Sequence, residues 1–236
     1  MLIKLINHFS GRERVPIQVA EVLDVLKTWG AKDDVYFFEV DVDTDVIKGL
    51  ITHWEAPWDD GSTRRFADIA TARSLTAQER RLIECKELLH ILDPDWALVN
   101  KNHAIESLIE KIVIPAEFQD PYGDDMAHAN SDSVAILHAA AVLFPWATRR
   151  LLLPKVSQIG IQRIADEIID LPPKVVATVM SEGWSKIYRI MTTEIMPVRD
   201  EKGDVVLLDM FVGGEWIGSR RTREQCKQAL ESHPML

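Results

Sequence analysis

Between Leu75 and Pro94 the sequence marks a helix at both ends. Thr76 is followed three residues later by Glu79, the pattern of a capping box that satisfies the free amides of a first turn. The run ERRLIECKELLHIL then continues to Asp93-Pro94, where proline forbids a further turn. A helix fixed in place this way needs something apolar to lie against. The stretch before it supplies strands, so the spacing predicts an α+β fold.

Val19, Val22, Leu23, Val25, Leu26 and Trp29 recur at helical spacing, with Pro16 suited to the first turn and Gly30 to the position just past the end. Val35–Val40 reads as a strand, Ile47–Trp54 as a second in which Gly49 is a weak spot, and Arg65–Ala72 as a third. The loop from Pro57 to Ser62 carries turn residues. Beyond Pro94 the pattern predicts a helix over 103–114, and an apolar helix, DSVAILHAAAVLF, capped by Ser131 or Asp132 and ending near Pro145. An amphipathic segment over Ile159–Ile169 and a helix KVVATVMSEGW after Pro172-Pro173 follow. From about Met191 the character changes. A strand over Asp204–Val212, a Gly213-Gly214 turn, a return over Glu215–Gly218 and a closing helix capped by Thr222 form a small module. The expected domains are 1–190 and 191–236.

The chain has 236 residues and a net charge of -10, which disfavours a purely electrostatic grip on nucleic acid. Cys85 and Cys226 follow no metal-binding spacing and read as free thiols in a reducing cytoplasm. No apolar run reaches the ~18 residues of a membrane span, and the opening MLIKLINHFSGRER turns polar too soon for a secretory signal. The expected location is cytoplasmic.

The string Glu84-Cys85-Lys86-Glu87-Leu88-Leu89-His90 carries the chemistry. Zinc peptidases of the zincin type place H-E-x-x-H on a helix: two histidines four apart bind zinc from one face, and the glutamate deprotonates the metal-bound water. Here Glu87 and His90 stand in the last two roles and Lys86 in the first. E-x-x-H alone also arises on ordinary solvated helix faces.

The order of motifs resembles the ImmA/IrrE family of metallopeptidases, found in bacterial mobile elements and stress regulators. In that family a helix and a small sheet precede the active-site helix. A later helix similar to E-x-x-A-N-x-F-A-A-E-L-L-M-P supplies the third zinc ligand. Asp132 to Pro145 matches that shape, with Asp132 on the acid, Ala135, Ala139 and Ala140 on the alanines and Pro145 on the proline; Arg149 and Arg150 follow. Ile164 to Val176 resembles the family's next helix pair, so the resemblance covers about Val15 to Trp184. It implies a zincin-like domain. It also implies Glu87 as the catalytic base and His90 and Asp132 as metal ligands, if any metal is bound. Ile136 and His138 replace the family's Asn and Phe.

Lys86 departs at the ancestral ligand position. A lysine ammonium has a reference pKa of about 10.4, so freeing its lone pair at neutral pH costs roughly 4 to 5 kcal/mol. Two remaining ligands hold zinc poorly. The ammonium instead fits the space of the ion, pairing with Asp132 or Glu87. The expectation is therefore no cofactor, with zinc only if the peptidase is active. The first reading is a catalytically degenerate regulator that binds a protein partner such as a transcriptional repressor. A second is an active endopeptidase with remodelled ligands and Glu87 as general base, in which His128 or His138 could replace the lost histidine. A third is a DNA-associated regulator using the 159–184 helix pair, with Lys174 as an early cation, and the Arg220, Arg221, Arg223 cluster as an anion or nucleic-acid contact. By default Asp132 is an N-cap, His90 a helix-end histidine and the arginine cluster a solvated turn. Asp41 to Asp45 opens like a calcium loop but lacks the glycine and glutamate such a loop needs. A di-iron bundle would need a second E-x-x-H.

Overall fold

The computed structural model describes residues 1–92, 135–200, 205–212 and 215–220. The helix expected over 103–114, the residues Asp132 and His128, the Gly213-Gly214 turn and the closing helix after Thr222 lie outside them. The chain forms two compact units, Met1–Ser181 and Glu182–Leu236.

The first unit is α+β. It opens with α1 (Leu2–Ser10), which the sequence reading passed over; Leu5, Ile6 and Phe9 lie on one helical face and are fully buried. Helix α2 (Val19–Thr28) starts three residues after Pro16, with Gln18 and Glu21 forming its capping box, so proline lies outside the helix rather than in its first turn. Gly30, at φ +96°, stands just past the end in the left-handed region that favours glycine. Strands β1 (Asp34–Val40), β2 (Gly49–Pro57) and β3 (Thr63–Ala72) form a sheet in the order β1-β3-β2. β1 runs parallel to β3 and β2 antiparallel to it, with Tyr36 opposite Asp68 and Trp54 opposite Phe66.

Alternation gives the sheet two unlike faces. Ala67, Ile69 and Thr71 of the central strand are buried, and register puts Gly49, Ile51 and His53 on the same side. Helix α3 (Ala77–Leu89) packs there, its Ile83 joining Ala72 and Leu75 in the core. The opposite face carries Tyr36, Phe38, Trp54 and Phe66.

After α3, a 3-10 turn covers His90–Leu92. Helix α4 (Ala135–Leu143) is apolar because it is core: Ala139 to Phe144 are buried. Among the described residues no single helix is long and apolar enough to cross a membrane; α4 and the Trp146–Ile159 segment together meet that length but are bent by 68°. Helix α5 (Trp146–Leu152) follows Pro145, then short turns reach Ile159. Gly160, at φ +83°, resets the chain direction, so the amphipathic segment begins at α6 (Ile161–Arg163) and widens into a π-helix over Ile164–Ile169. Helix α7 (Pro173–Met180) stops short of the expected SEGW extension, because Ser181 is extended.

Two buried arginines stitch this unit together. From α3, Arg81 donates to the carbonyls of Ile17 (3.0 Å), Ile169 (2.7 Å) and Asp170. Asp170 is left-handed, at φ 56°, which turns its carbonyl off the helix end. From α5, Arg149 donates to Val179 (2.6 Å) and Ser181 (2.9 Å). Each guanidinium satisfies carbonyls that would otherwise be buried at segment ends. Gln78 adds a bond to Asp166 at 3.0 Å, fixing the first turn of α3.

The second unit holds α8 (Trp184–Thr192) and an antiparallel sheet of β4 (Thr193–Arg199), β5 (Val205–Val212) and β6 (Glu215–Arg220), in that order. β4 was not expected. Its Pro197 is tolerated because β4 is an edge strand. Across β5 and β6 the Ser219 hydroxyl donates to Asp209 at 2.5 Å.

Candidate functional site

Three side chains of the E-C-K-E-L-L-H string follow from how α3 is held. Its N-terminus is closed by Thr76 and Glu79: the Glu79 amide donates to the Thr76 hydroxyl (3.2 Å), and the Glu79 carboxylate accepts from the Thr76 amide (3.1 Å) and hydroxyl (2.8 Å). Those donors hold the Glu79 carboxyl below its ordinary range. Its C-terminus ends at His90, whose amide donates to Glu87 and Leu88 carbonyls. Between these ends the helix lies on the sheet at Gly49. A Cβ there would run into Cγ2 of Ile83 and stand 3.2 Å from Glu87 Oε1. The glycine read as a weak spot is therefore a place where the helix approaches the sheet too closely for a side chain.

Glu87 is thus buried against β2, and Lys86 is buried beside it. Their exposures are 4% and 6%, and Lys86 Nζ stands 2.9 Å from Glu87 Oε1. Two opposite charges at hydrogen-bond distance neutralise each other where neither meets bulk water; separately each would cost several kcal/mol to bury. Of the two partners expected for the ammonium, Glu87 is seated there, and Asp132 lies outside the described residues. His90 is half-buried, one helical repeat after Lys86 and so on the same face. His138 is half-buried on α4.

At position 86 the Lys86 ammonium stands 2.9 Å from the Glu87 carboxylate. Among the described residues no group of three or more His, Cys, Asp or Glu side chains is placed to hold a metal ion.

Neighbouring groups show how strongly this helix face is desolvated. Cys85 is fully buried, and burial pushes its thiol up to about 12. Burial also raises Glu84, against the pull of Arg80 and with a push from Glu39.

A second polar array was missed by sequence reasoning. Asp33, just before β1, is buried, with its Oδ1 3.3 Å from Arg65 Nε and 3.5 Å from His53 Nδ1. Only register could have revealed it: Arg65 and His53 share one face of adjacent strands. In front of it opens a cleft of about 470 Å³ lined by Lys32, Asp34, Glu55, Thr63, Arg64 and Arg65. Two of its charges are paired, Asp34 with Lys27 at 3.1 Å and Arg65 with Asp33 at 3.3 Å.

Of the remaining candidates, Arg220 closes β6, while Arg221 and Arg223 lie outside the described residues. Lys174 is exposed in the first turn of α7. No protein-family model, curated protein or solved structure matches the chain.

Proposed function

We propose that this chain is an ImmA/IrrE-like regulatory protein of a bacterium or its mobile element. On this reading it descends from a peptidase, has lost the metal, and acts by binding a protein partner such as a transcriptional repressor. The observation that carries the reading is the buried Lys86–Glu87 ion pair at 2.9 Å. Peptide hydrolysis on the zincin plan needs a Lewis acid and a free general base about one water apart. An internal cation at the ligand position competes for the same carboxylate and replaces the ion's charge without its coordination chemistry. The sequence order of helix, small sheet and K-E-L-L-H helix, followed by the alanine-rich helix before Pro145, is the further support.

Elemental analysis of protein purified without chelators, and again after incubation with zinc, tests this directly. The expected zinc content is far below one ion per chain. One tightly held zinc per chain, removed by His90→Ala, would overturn the reading. Lys86→His supplies the missing lone pair; stoichiometric zinc in that variant alone would show that only one ligand separates this chain from a metal site.

A further inference from the structure

The sheet face turned away from α3 is built from large aromatic side chains that remain in solvent. Phe66, 5% exposed, lies at its centre. Trp54 stacks on it at 4.2 Å with the rings 13° apart, and Tyr36 and Trp58 lie against it at 6.3 Å. The outer rings are open: Tyr36 53%, Phe38 44%, Trp54 43% and Trp58 43% exposed. Trp54 is held in place by its indole N–H, which donates to Asp68 at 2.9 Å. A soluble surface rarely gathers this many open rings on one face without a use for them.

The charge around the rings selects the occupant. Between Lys32 and Asp68 the sequence holds ten acidic and four basic side chains, and of the acids Asp33, Asp34, Glu39 and Asp41 are ion-paired, three of them by cations outside this stretch. Asp43, Asp45 and Asp59 are exposed at the two ends of the sheet, and none has an ion-pair partner among the described residues. A polyanion would be repelled. The rings themselves favour cations, and one such contact is already present: the Arg64 guanidinium lies 4.1 Å above Trp58.

We propose that this face docks a basic segment of a partner protein, its Arg and Lys side chains lying over Trp54 and Tyr36 and its apolar side chains covering Phe38. The proposal rests on the regulatory reading above and deepens it by assigning the partner's chemistry.

The test uses the full chain and two labelled peptides of equal length, one of Leu, Arg and Lys at helical spacing and one with Glu replacing each cation. Fluorescence anisotropy should show micromolar binding of the basic peptide, weakening with added salt, and none of the acidic one. Tyr36→Ser with Phe38→Ser should weaken binding about tenfold, and so should Asp45→Lys with Asp59→Lys, two exposed side chains at the ends of the sheet. Glu167→Lys with Glu182→Lys, an equal charge change outside the sheet, should leave binding intact. The proposal is overturned if the basic peptide does not bind, or if the Glu167/Glu182 variant weakens it as much. It is also overturned if a single-stranded oligonucleotide occupies the face, or if sedimentation shows a dimer that Tyr36→Ser with Phe38→Ser dissociates. Zinc measured on the same preparations separates the two ideas: a metal-loaded protein that still docks the basic peptide loses the regulatory reading and keeps this one.

Discussion

Gly49 and Ile83 meet where α3 crosses β2, and the absent side chain of the first is what admits the second. Gly49→Ala should therefore destabilise the chain by about 1–3 kcal/mol through overpacking, read as a lower denaturant midpoint. Gly49→Ala with Ile83→Ala should cost less than the sum of the two single changes, since alanine at 83 lacks the Cγ2 that the new Cβ meets.

Removing either partner of the buried Lys86–Glu87 pair takes away the opposite charge 2.9 Å from the other. Lys86→Met and Glu87→Gln should each cost about 3–5 kcal/mol, and the double variant far less than their sum. A double-mutant cycle by chemical denaturation measures this. Strict additivity would mean that the two side chains do not support each other.

Arg81 serves three carbonyls from one guanidinium. Arg81→Leu keeps the apolar stem and leaves the carbonyls of Ile17, Ile169 and Asp170 without this donor, at about 1–3 kcal/mol for a buried unsatisfied group. Hydrogen exchange should accelerate at Ile17–Val22 and Ile169–Val176 together, because one side chain ties both segments to α3.

In a Cys226→Ser background the remaining thiol is Cys85, buried and raised to about 12. At pH 8 a thiol reagent should modify it slowly in the folded chain and fully in denaturant. Fast labelling of the native protein would contradict the packing of α3.

Two carboxyls on α3 should act oppositely with pH. Glu79 is lowered by its Thr76 donors, so its contribution is present above its unfolded value of about 4.5 and is lost as pH falls through the lower folded value. Glu84 is raised by burial, so it costs nothing below about 4.5 and increasingly destabilises as pH rises toward its folded value. Glu79→Gln should lower the melting temperature at pH 7 and flatten the acid limb. Glu84→Gln should raise the melting temperature at pH 7 and leave it unchanged near pH 3.

The parts of the fold that follow from local chemistry were legible in the sequence. The Thr76–Glu79 box and the three strands each have a short-range cause. What escaped depends on tertiary partners. Arg81 and Arg149 look like surface charges until the carbonyls they serve are brought to them. Gly49 looks like a flaw until Ile83 arrives. Helix α1 carries a readable signal in the spacing of Leu5, Ile6 and Phe9. Of the K-E-L-L-H string, shared helical faces were readable, but the joint burial of Lys86 and Glu87 was not, because it depends on how α3 is buried against β2.

The strand order has a consequence for synthesis. β1 and β2 each bond to β3 and not to one another, so the strand that emerges last from the ribosome is the one that joins the other two. A nascent chain stopped at Ser62 holds both outer strands and no ladder between them, with Tyr36, Phe38 and Trp54 still lacking the Phe66 platform. The sheet then closes in one step once Thr63–Ala72 has cleared the exit tunnel, and until then those rings are what a chaperone would meet.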